Sequence, residues 1–525
     1  MSTSNIKTPG VHIEESNAFP NSVVSVPTSI PAFIGYTPQA LYDGESYNNK
    51  PTKVTSFADF QAIFCYQNPP VLEDPLKQYS PEYYLIKQKS KPQQGAMISI
   101  NGNYYSILPD ASTIYYLYNS VKMFYENGGR DAYIVSVGAY GKPSKESKTI
   151  GEQLVNPNVK LDDLLKGLAL LKNEREPTMY ICPEATLLSV ENNGTLMQSM
   201  LLQNEEMQTA MSVFDVIGGN DPDPITFMDA INTFRSNTGS QGLSYGCVYY
   251  PFIGTSVMQS SDIDYTNFFG GDINLFEQLL NPTNDPNTTV AKILEDIKNP
   301  PDNPLTIVQY NNALIASSPM YSTIIKQVLM VINILPPSGA MAGVMTVSDN
   351  EKGVWAAPAN KSIVGVTSLP IHLSDSQQGP LNVDAVSGKS INAIRFFNGV
   401  GFLIWGARTL DGNNSEWKYI PVRRTVTYIE QSCKLAIQPY TFASNDRNTW
   451  VAVNAIINNF LTELWRQGGI QGTKPSDAFF VQCGLGTTMT ADDILEGILR
   501  VSIGVALIRP AEFVIITLTQ QMATS

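Results

Sequence analysis

The chain has 525 residues, 43% of them hydrophobic and 15% charged, with a formal net charge of −13. This length exceeds what one compact core accommodates, so about two to four domains are expected, and the composition argues against a disordered chain. The acidic balance argues against nucleic acid as a partner, because phosphate binding requires clustered Lys and Arg.

The negative charge is unevenly distributed along the chain. From Val386 to the C-terminus there are 12 Lys and Arg against 10 Asp and Glu, a balance of +2, which leaves −15 for the remainder. An acidic outside with a neutral inner part would suit an assembly. Solubility alone is the alternative reason for such acidity.

Cysteine usage and the N-terminus indicate where the protein is made. The cysteines are scattered, odd in number and never spaced as C-x-x-C, which predicts reduced, mostly buried thiols. Residues 1–21 lack the basic and apolar regions of a signal peptide, and no run of about 20 apolar residues exists. We therefore expect cytoplasmic synthesis and no insertion into a membrane. The cysteines are Cys65, Cys182, Cys247, Cys433 and Cys483.

An extended arm is predicted at the N-terminus, over residues 1–22. Val11, His12 and Ile13 form a short strand-like segment within it. An apolar strand at 32–35 follows and ends at a glycine.

Helical patterns then alternate with short apolar strands as far as residue 250. This order predicts an α/β sheet with helices on both faces. The predicted helices are 57–64, 115–125, 161–171, 196–211 and 224–234, and the predicted strands are 132–137, 179–182, 212–217 and 245–250.

The second half of the chain has a different character. Residues 258–304 are rich in Asn, Asp, Pro and Gly, which predicts an irregular surface insertion. From residue 336 onward, Gly-rich loops and short strands surround a strong helical pattern at 449–467. A second helix is predicted at 490–500, and a β-prone strand at 513–519 closes the chain.

The helix predicted at 490–500 opens with a capping box from Thr490 to Asp493. We expect its apolar side chains to be buried. These are Ile494, Leu495, Ile498 and Leu499.

Residues that would carry catalysis or bind a cofactor are scarce. The two histidines, His12 and His372, have no carboxylate or cysteine at ligand spacing, so no metal site is expected. No nucleophile elbow, Walker loop or dinucleotide-binding turn appears, and the glycine pairs at 399–401 and 484–486 predict tight turns. We expect no enzyme activity and no cofactor. An α/β hydrolytic enzyme with an unrecognised site is the alternative from a different class.

Several phrases of this sequence, in order, resemble the sheath proteins of contractile phage tails and of phage-tail-like injection systems. The segment LSYGCVYYP at 243–251 resembles the sheath proteins of extracellular injection systems of the toxin-delivery type. The sheath of a contractile bacteriophage tail is the alternative. The other phrases are PGVHIEE at 9–15, NGGRDAYIVSVG at 127–138, GVWAAPAN at 353–360, KSINAIR at 389–395, WGARTL at 405–410, WKYIPVRR at 417–424, AFFVQCG at 478–484 and RPAEF at 509–513.

The resemblance implies a structural subunit that forms stacked hexameric rings around an inner tube. It implies a stretched, metastable assembly that contracts and drives the tube through a target envelope. Other copies of the chain, the inner tube protein, and baseplate and terminal cap proteins would be its partners. The particle would be released from the bacterial cell or anchored inside it. A different structural tail component, such as a tube or baseplate protein, is a further alternative, and the length of the chain and its paired terminal arms oppose the tube.

The resemblance also implies that both terminal arms add strands to sheets of neighbouring subunits. The residues themselves favour this, because a terminal strand without a hairpin partner leaves its N–H and C=O groups open. Folding back onto the chain's own sheet is the alternative. The segments concerned are Val11, His12 and Ile13, and Phe513, Val514, Ile515, Ile516 and Thr517.

The expected architecture is therefore multidomain, mixed α/β, with an outer domain and a sheath core completed by strands from neighbours. The expected domains are an arm at 1–22, an outer α/β region at 23–335, a core at 336–510 and a C-terminal strand arm at 511–525. Asp493, Glu496 and Arg500 on the predicted helix are the candidate tube contacts, with packing in the core as the alternative.

Overall fold

A computed structural model describes residue 23 and residues 25–66, 81–92, 95–282, 286–513 and 515. The mixed α/β class expected from the sequence is confirmed. The strands are β1 Pro31–Thr37, β2 Leu41–Tyr42, β3 Glu45–Ser46, β4 Thr52–Val54, β5 Tyr83–Gln88, β6 Met97–Ile100, β7 Asn103–Pro109, β8 Ala132–Ala139, β9 Met179–Ile181, β10 Met211–Asp215, β11 Gly246–Tyr250, β12 Ile253–Thr255, β13 Ile334–Leu335, β14 Val366–Ser368, β15 Asn392–Phe397, β16 Gly401–Trp405, β17 Phe479–Cys483 and β18 Val501–Val505. The helices are α1 Phe57–Phe64, α2 Leu117–Glu126, α3 Leu161–Leu170, α4 Val190–Met207, α5 Phe227–Asn237, α6 Ile273–Leu280, α7 Thr288–Lys298, α8 Ile307–Ser317, α9 Pro319–Ile332, α10 Ser338–Lys352, α11 Asp375–Asn382, α12 Ile420–Ile437, α13 Arg447–Arg466, α14 Pro475–Ala478 and α15 Ala491–Leu495.

The core is an eight-stranded sheet with the order β16-β15-β11-β10-β9-β1-β8-β4. The strands from β15 to β8 run parallel to one another, and the two edge strands, β16 and β4, are antiparallel to their neighbours. Every residue of β1, β9, β10 and β11 is buried. Continuous apolar strands of this kind require cover on both faces, as the helix–strand alternation predicted.

Small residues let two helices approach each other closely beside this sheet. Helix α10 packs against α2, and a Cβ atom added at Gly343 would lie 2.6 Å from the carbonyl oxygen of Phe124. A Cβ at Gly339 would collide with the carbonyl oxygen of Ser120. These two glycines are therefore required by the packing rather than by backbone conformation.

Two segments differ from their predicted structure. Residues 258–304 contain α6 and α7 instead of an irregular insertion, because Asp272 and Asn287 cap those two helices and do not interrupt them. The helix predicted over 490–500 is only the five residues of α15, because Gly497 with φ of +73° ends it. Composition alone does not distinguish a capping Asn or Asp from one in a loop.

The described residues divide into two compact units. The first unit contains the residues up to Val26 together with Tyr428–Ile508, and the second contains Pro27–Thr427 and the residues from Arg509 onward. The boundary predicted at residue 336 differs from this division, because strands β15 and β16 complete the central sheet of the second unit. The second boundary instead falls inside helix α12.

No single helix in the described ranges combines the length and apolar character needed to cross a membrane. Helices α8 and α9 meet those criteria only as a pair, and they are bent by 113° relative to each other.

Candidate assembly interface

The first unit is built on helix α13 and the two-stranded sheet of β17 and β18. Asp446 caps the helix by accepting hydrogen bonds from the backbone N–H groups of Asn448 and Thr449. The buried residues of its apolar stripe are Val453, Ile456, Ile457, Leu461 and Leu464. The helix therefore provides an apolar surface on which the small sheet packs.

The two strands have a fixed register and two unlike faces. Phe479 pairs with Val505 and Cys483 with Val501, in antiparallel order. Phe479 is buried, whereas Phe480 is 52% exposed, so alternate residues face α13 and the opposite side. On that opposite side the Phe480 ring covers Gly504 and leaves no room for a larger residue there. Burial on one face means that the register is well determined.

The outer edge of β18 has open backbone groups. The N–H of Ala506 donates to the carbonyl of Ala478 (2.8 Å). Because hydrogen-bonded pairs alternate in an antiparallel ladder, residues 504 and 502 also direct their backbone N–H and C=O groups toward β17. Val501, Ile503 and Val505 consequently direct their N–H and C=O groups outward, and no group in the described ranges bonds to that edge. The outer edge of β17 is partly occupied, because Asn454 Nδ2 donates to the Val481 carbonyl (3.2 Å). The open edge of β18 can therefore accept a further strand.

Most residues predicted to exchange strands lie outside the described ranges. This applies to Val11, His12 and Ile13, and to Val514, Ile516 and Thr517. Phe513 and Ile515 are described, are 69% and 89% exposed, and are not part of a strand. The structure therefore contains an open edge and two exposed apolar residues, and their pairing in an assembly stays a prediction.

The predicted tube-contact residues lie close together around α15. Arg500 Nη2 is 3.0 Å from Asp493 Oδ1, and Asp493 also accepts hydrogen bonds from the backbone N–H and hydroxyl of Thr490. The bonds from Thr490, followed by that from Arg500, lower the pKa of Asp493 below its ordinary value. Glu496 is exposed at the end of the helix.

The apolar residues of this segment are not buried as the sequence predicted. Leu495 is 85% exposed, and Ile494, Ile498 and Leu499 are half-buried. A helix of five residues cannot bury a full apolar stripe. The segment is consequently a surface feature of the first unit, and packing in the core does not account for it.

Five of the twelve Lys and Arg from Val386 onward are buried. Residues 428–508 contain 5 Lys and Arg against 7 Asp and Glu, a balance of −2. The cations that make the last quarter of the chain near neutral lie mainly in the second unit, where five of them are buried: Lys389, Arg395, Arg408, Arg423 and Arg424. Arg424, for example, forms a bidentate pair with Asp349 at 2.6 and 2.9 Å. Burial therefore removes these five cations from the surface of the second unit.

The central sheet contains the place where similar folds bind anions. Its six parallel strands follow the spatial order 2-1-3-4-5-6, and in doubly wound sheets the ligand lies where that order reverses, beyond the carboxyl ends of the first and third strands. Here Glu184, just after β9, occupies this position, and its Oε1 accepts hydrogen bonds from the N–H groups of Tyr116 and Leu117 (3.3 and 2.8 Å). A side chain of the chain itself therefore binds the N-terminus of α2.

A second buried carboxylate does the same on the neighbouring strand. Asp215, at the end of β10, accepts hydrogen bonds from the N–H and hydroxyl of Ser338 (2.9 and 2.5 Å) at the start of α10. Burial raises the pKa of Asp215 to about 7 and that of Glu184 to about 8. Gly35 lies against Glu184, and a Cβ there would collide with Oε2. Sequence reasoning missed both carboxylates, since neither belongs to a motif.

The described residues contain no group of three His, Cys, Asp or Glu that could hold a metal ion. His372 is exposed, with its ring 5.9 Å from that of Phe396. All five cysteines are free thiols, four buried and Cys483 partly exposed.

Comparisons with known proteins identify the family resemblance. Residues 412–521 match the family of phage tail sheath C-terminal domains. The chain resembles tail sheath proteins. Those of Vibrio phage KVP40 and Burkholderia phage BcepMu are each 27% identical to it over 139 and 147 residues. The matches cover 26% of this chain and 20% and 30% of those proteins, less than a third of their length.

Solved structures extend the likeness to the whole fold. The anti-feeding prophage helical sheath in its contracted state matches with a TM-score of 0.58 and 23% identity, covering 98% of this chain and all of that chain. The contracted sheath complex of the extracellular contractile injection system PVC matches with a TM-score of 0.54 and 23% identity, over 99% of both chains. The resemblance to contractile sheath proteins predicted from the sequence is confirmed, and the chain has their fold.

Proposed function

We propose that this chain is the subunit of a contractile sheath in a phage-tail-like injection system. Stacked hexameric rings of it would surround an inner tube in a metastable extended state, and contraction would drive the tube through a target envelope. Its partners would be further copies of itself, the inner tube protein, and baseplate and cap proteins. The role is structural and not enzymatic, as in the tail sheath relatives. The subunit would be made in the bacterial cytoplasm and function within the assembled particle.

The observation that carries this proposal is the open edge of β18. The sheet of β17 and β18 packs one face on α13. Its outer edge has free backbone N–H and C=O groups at Val501, Ile503 and Val505. Strand addition to such an edge needs an extended partner with apolar residues, and both ends of this sequence have that pattern. About five backbone hydrogen bonds at roughly 1 kcal/mol each give on the order of 5 kcal/mol per added strand.

Strand exchange suits a motor that uses no chemical fuel. Contraction requires two packings of the same subunits that differ in free energy. Strands added from one copy to the next keep the subunits connected while their other contacts change. We propose that the acidic second unit provides outward contacts and that the first unit contacts the tube through Asp493, Glu496 and Arg500.

A proline at the open edge tests the strand exchange. Ile503→Pro removes an N–H that points outward and is not used inside the subunit, so the chain should fold but form no long sheaths. Ile503→Ala keeps that N–H and loses similar packing on α13, so it should assemble. Electron microscopy of both purified variants, beside the wild type, measures the outcome. Hollow cylinders of normal length from Ile503→Pro, in the number seen for the wild type, would refute strand addition at this edge.

Truncation tests the donor side of the same contact. A chain lacking residues 1–15 should give folded protein that forms only short or no sheaths, because one donor strand is missing. Sheath length is measured by electron microscopy and folding by circular dichroism. If wild-type protein gives no tubular polymer under any condition, the proposed function itself is wrong.

A further inference from the structure

The side chain of Glu512 is held from three directions. Its Oε1 accepts hydrogen bonds from Arg408 Nε (2.8 Å) and Asn382 Nδ2 (2.6 Å). Its Oε2 accepts from Arg408 Nη2 (2.6 Å) and Nε (3.1 Å), and from the hydroxyl of Tyr419 (3.0 Å). Both oxygens are therefore fully used, in the fork geometry that Arg and carboxylates form best.

Arg408 is in turn tied to the central sheet. The N–H of Arg408 donates to Asn392 Oδ1 (2.8 Å), and Asn392 Nδ2 donates to the carbonyls of Arg408 (2.8 Å) and Val248 (3.1 Å). Asn392 lies on β15 and Val248 on β11, which are neighbours in the parallel part of the sheet. Glu512 is thus connected to a core strand through two fully buried residues, Arg408 and Asn392.

The residues beside Glu512 are exposed. The side chain of Glu512 is 18% exposed and that of Arg408 5%, whereas Ala511 is exposed, and Phe513 is 69% and Ile515 89% exposed. Glu512 is therefore held by the second unit, while the described residues on either side of it are exposed. The acceptor sheet of β17 and β18 belongs to the first unit.

Ionisation strengthens this contact. Burial alone would raise the pKa of Glu512, but the hydrogen bonds from Arg408 and Asn382 outweigh it and hold the pKa below the ordinary value. Glu512 therefore stays charged at neutral pH, opposite an Arg that is always charged. Loss of the carboxylate charge would leave the Arg408 guanidinium buried without a counter-ion, which is strongly unfavourable.

We propose that Glu512 is a positioning residue that anchors the root of the C-terminal segment to the central sheet. This inference rests on the proposed strand exchange: a strand donated to a neighbour transmits tension only if its root is fixed. Tension on the segment would pass from Glu512 through Arg408 and Asn392 into β11, and not through the first unit of the same chain. The hydrogen bonds to Glu512 thus set where the donated strand begins.

Glu512→Gln, compared with Asp349→Asn, separates anchoring from general stability. Both changes remove the charge from a buried bidentate pair with Arg in the same unit, and only Glu512 lies at the root of the segment. Tyr419→Phe removes a single hydrogen bond to Glu512 and provides a milder variant if Glu512→Gln does not fold. Each is measured as unassembled protein and as sheath.

In the unassembled chain we expect Glu512→Gln to speed amide hydrogen exchange over residues 507–513 by about tenfold or more, with Tyr419→Phe in between. Asp349→Asn should leave that peptide unchanged. In sheaths, Glu512→Gln should lower the urea concentration that causes disassembly more than Asp349→Asn does. Unchanged exchange over 507–513, or equal loss of sheath stability in both variants, would overturn the anchor. Absence of any wild-type sheath would refute the proposed function, while the exchange measurement would still decide whether Glu512 anchors the segment.

Discussion

Replacing Glu184 by Gln should change how the stability of this protein depends on pH. Glu184 is fully buried, and its Oε1 binds the N-terminus of α2, while its Oε2 has no hydrogen-bond partner among the described residues. Burial raises its pKa from 4.5 to about 8, partly opposed by the backbone hydrogen bonds that it accepts. At neutral pH the carboxyl is therefore protonated in the folded chain and ionised in the unfolded one.

The size of the effect follows from these two values. Between pH 4.5 and about 8 the folded chain binds one more proton than the unfolded chain at this site. The free energy of unfolding therefore falls as pH rises through this window, by about 1.4 kcal/mol per pH unit and by about 5 kcal/mol in total. Gln keeps the acceptor for α2 and has no proton to lose, so Glu184→Gln removes this contribution.

The assay is urea unfolding followed by tryptophan fluorescence at pH 5, 6, 7 and 8. Relative to wild type, Glu184→Gln should gain stability steadily as pH rises. Asp215, whose pKa is also raised by burial, is present in both proteins, so its contribution cancels from the difference. Glu205→Gln, the same change at an exposed position of α4, is the control for removing a surface carboxylate. Parallel pH curves for Glu184→Gln and wild type would mean that the buried carboxyl is ionised, and the reasoning would be wrong.

Three further changes give simple stability or assembly outcomes. Gly339→Ala should lower the free energy of unfolding by about 1–3 kcal/mol, because the new Cβ collides with α2; thermal unfolding measures this loss, and a melting temperature equal to that of the wild type would contradict the close packing of α10 on α2. Asp446→Ala should cost about 1 kcal/mol by removing the cap of α13, as measured by urea unfolding, and an unchanged midpoint would contradict that role. Arg500→Glu should keep the fold, since its pair with Asp493 is exposed, and should weaken co-assembly with tubes in a sedimentation assay. Normal co-assembly would remove Arg500 from tube contact.

Several elements could be predicted because their signals are local. Helix α1 has the predicted bounds, 57–64, and α13 differs from the prediction by only one or two residues at either end. The buried strands could be predicted because continuous apolar runs between helices have few other uses. The family-like phrases also predicted the fold, and comparison with sheath structures confirmed it.

Other predictions failed where one residue determines whether an element continues. Gly497 stops α15 after five residues, although the apolar spacing continues to Leu499. Asp272 and Asn287 begin helices in a segment whose composition is typical of loops. Gly, Asp and Asn all occur both in turns and at helix ends, so composition does not distinguish a helix end from a loop.

The sequence by itself determined the fold class, the alternation of helices and strands, and the resemblance to sheath proteins, because these depend on residue order and periodicity. Only the tertiary structure decided that Glu184 binds the start of α2, that Arg408 meets Glu512, and that five of the cations after Val386 are buried. Glu184 is 67 residues from Leu117, and Glu512 is 104 from Arg408. Such contacts depend on which surfaces the folded chain brings together. Burial and the neighbouring groups then determine whether a carboxyl group is protonated, as at Glu184, or ionised and paired with an Arg, as at Glu512.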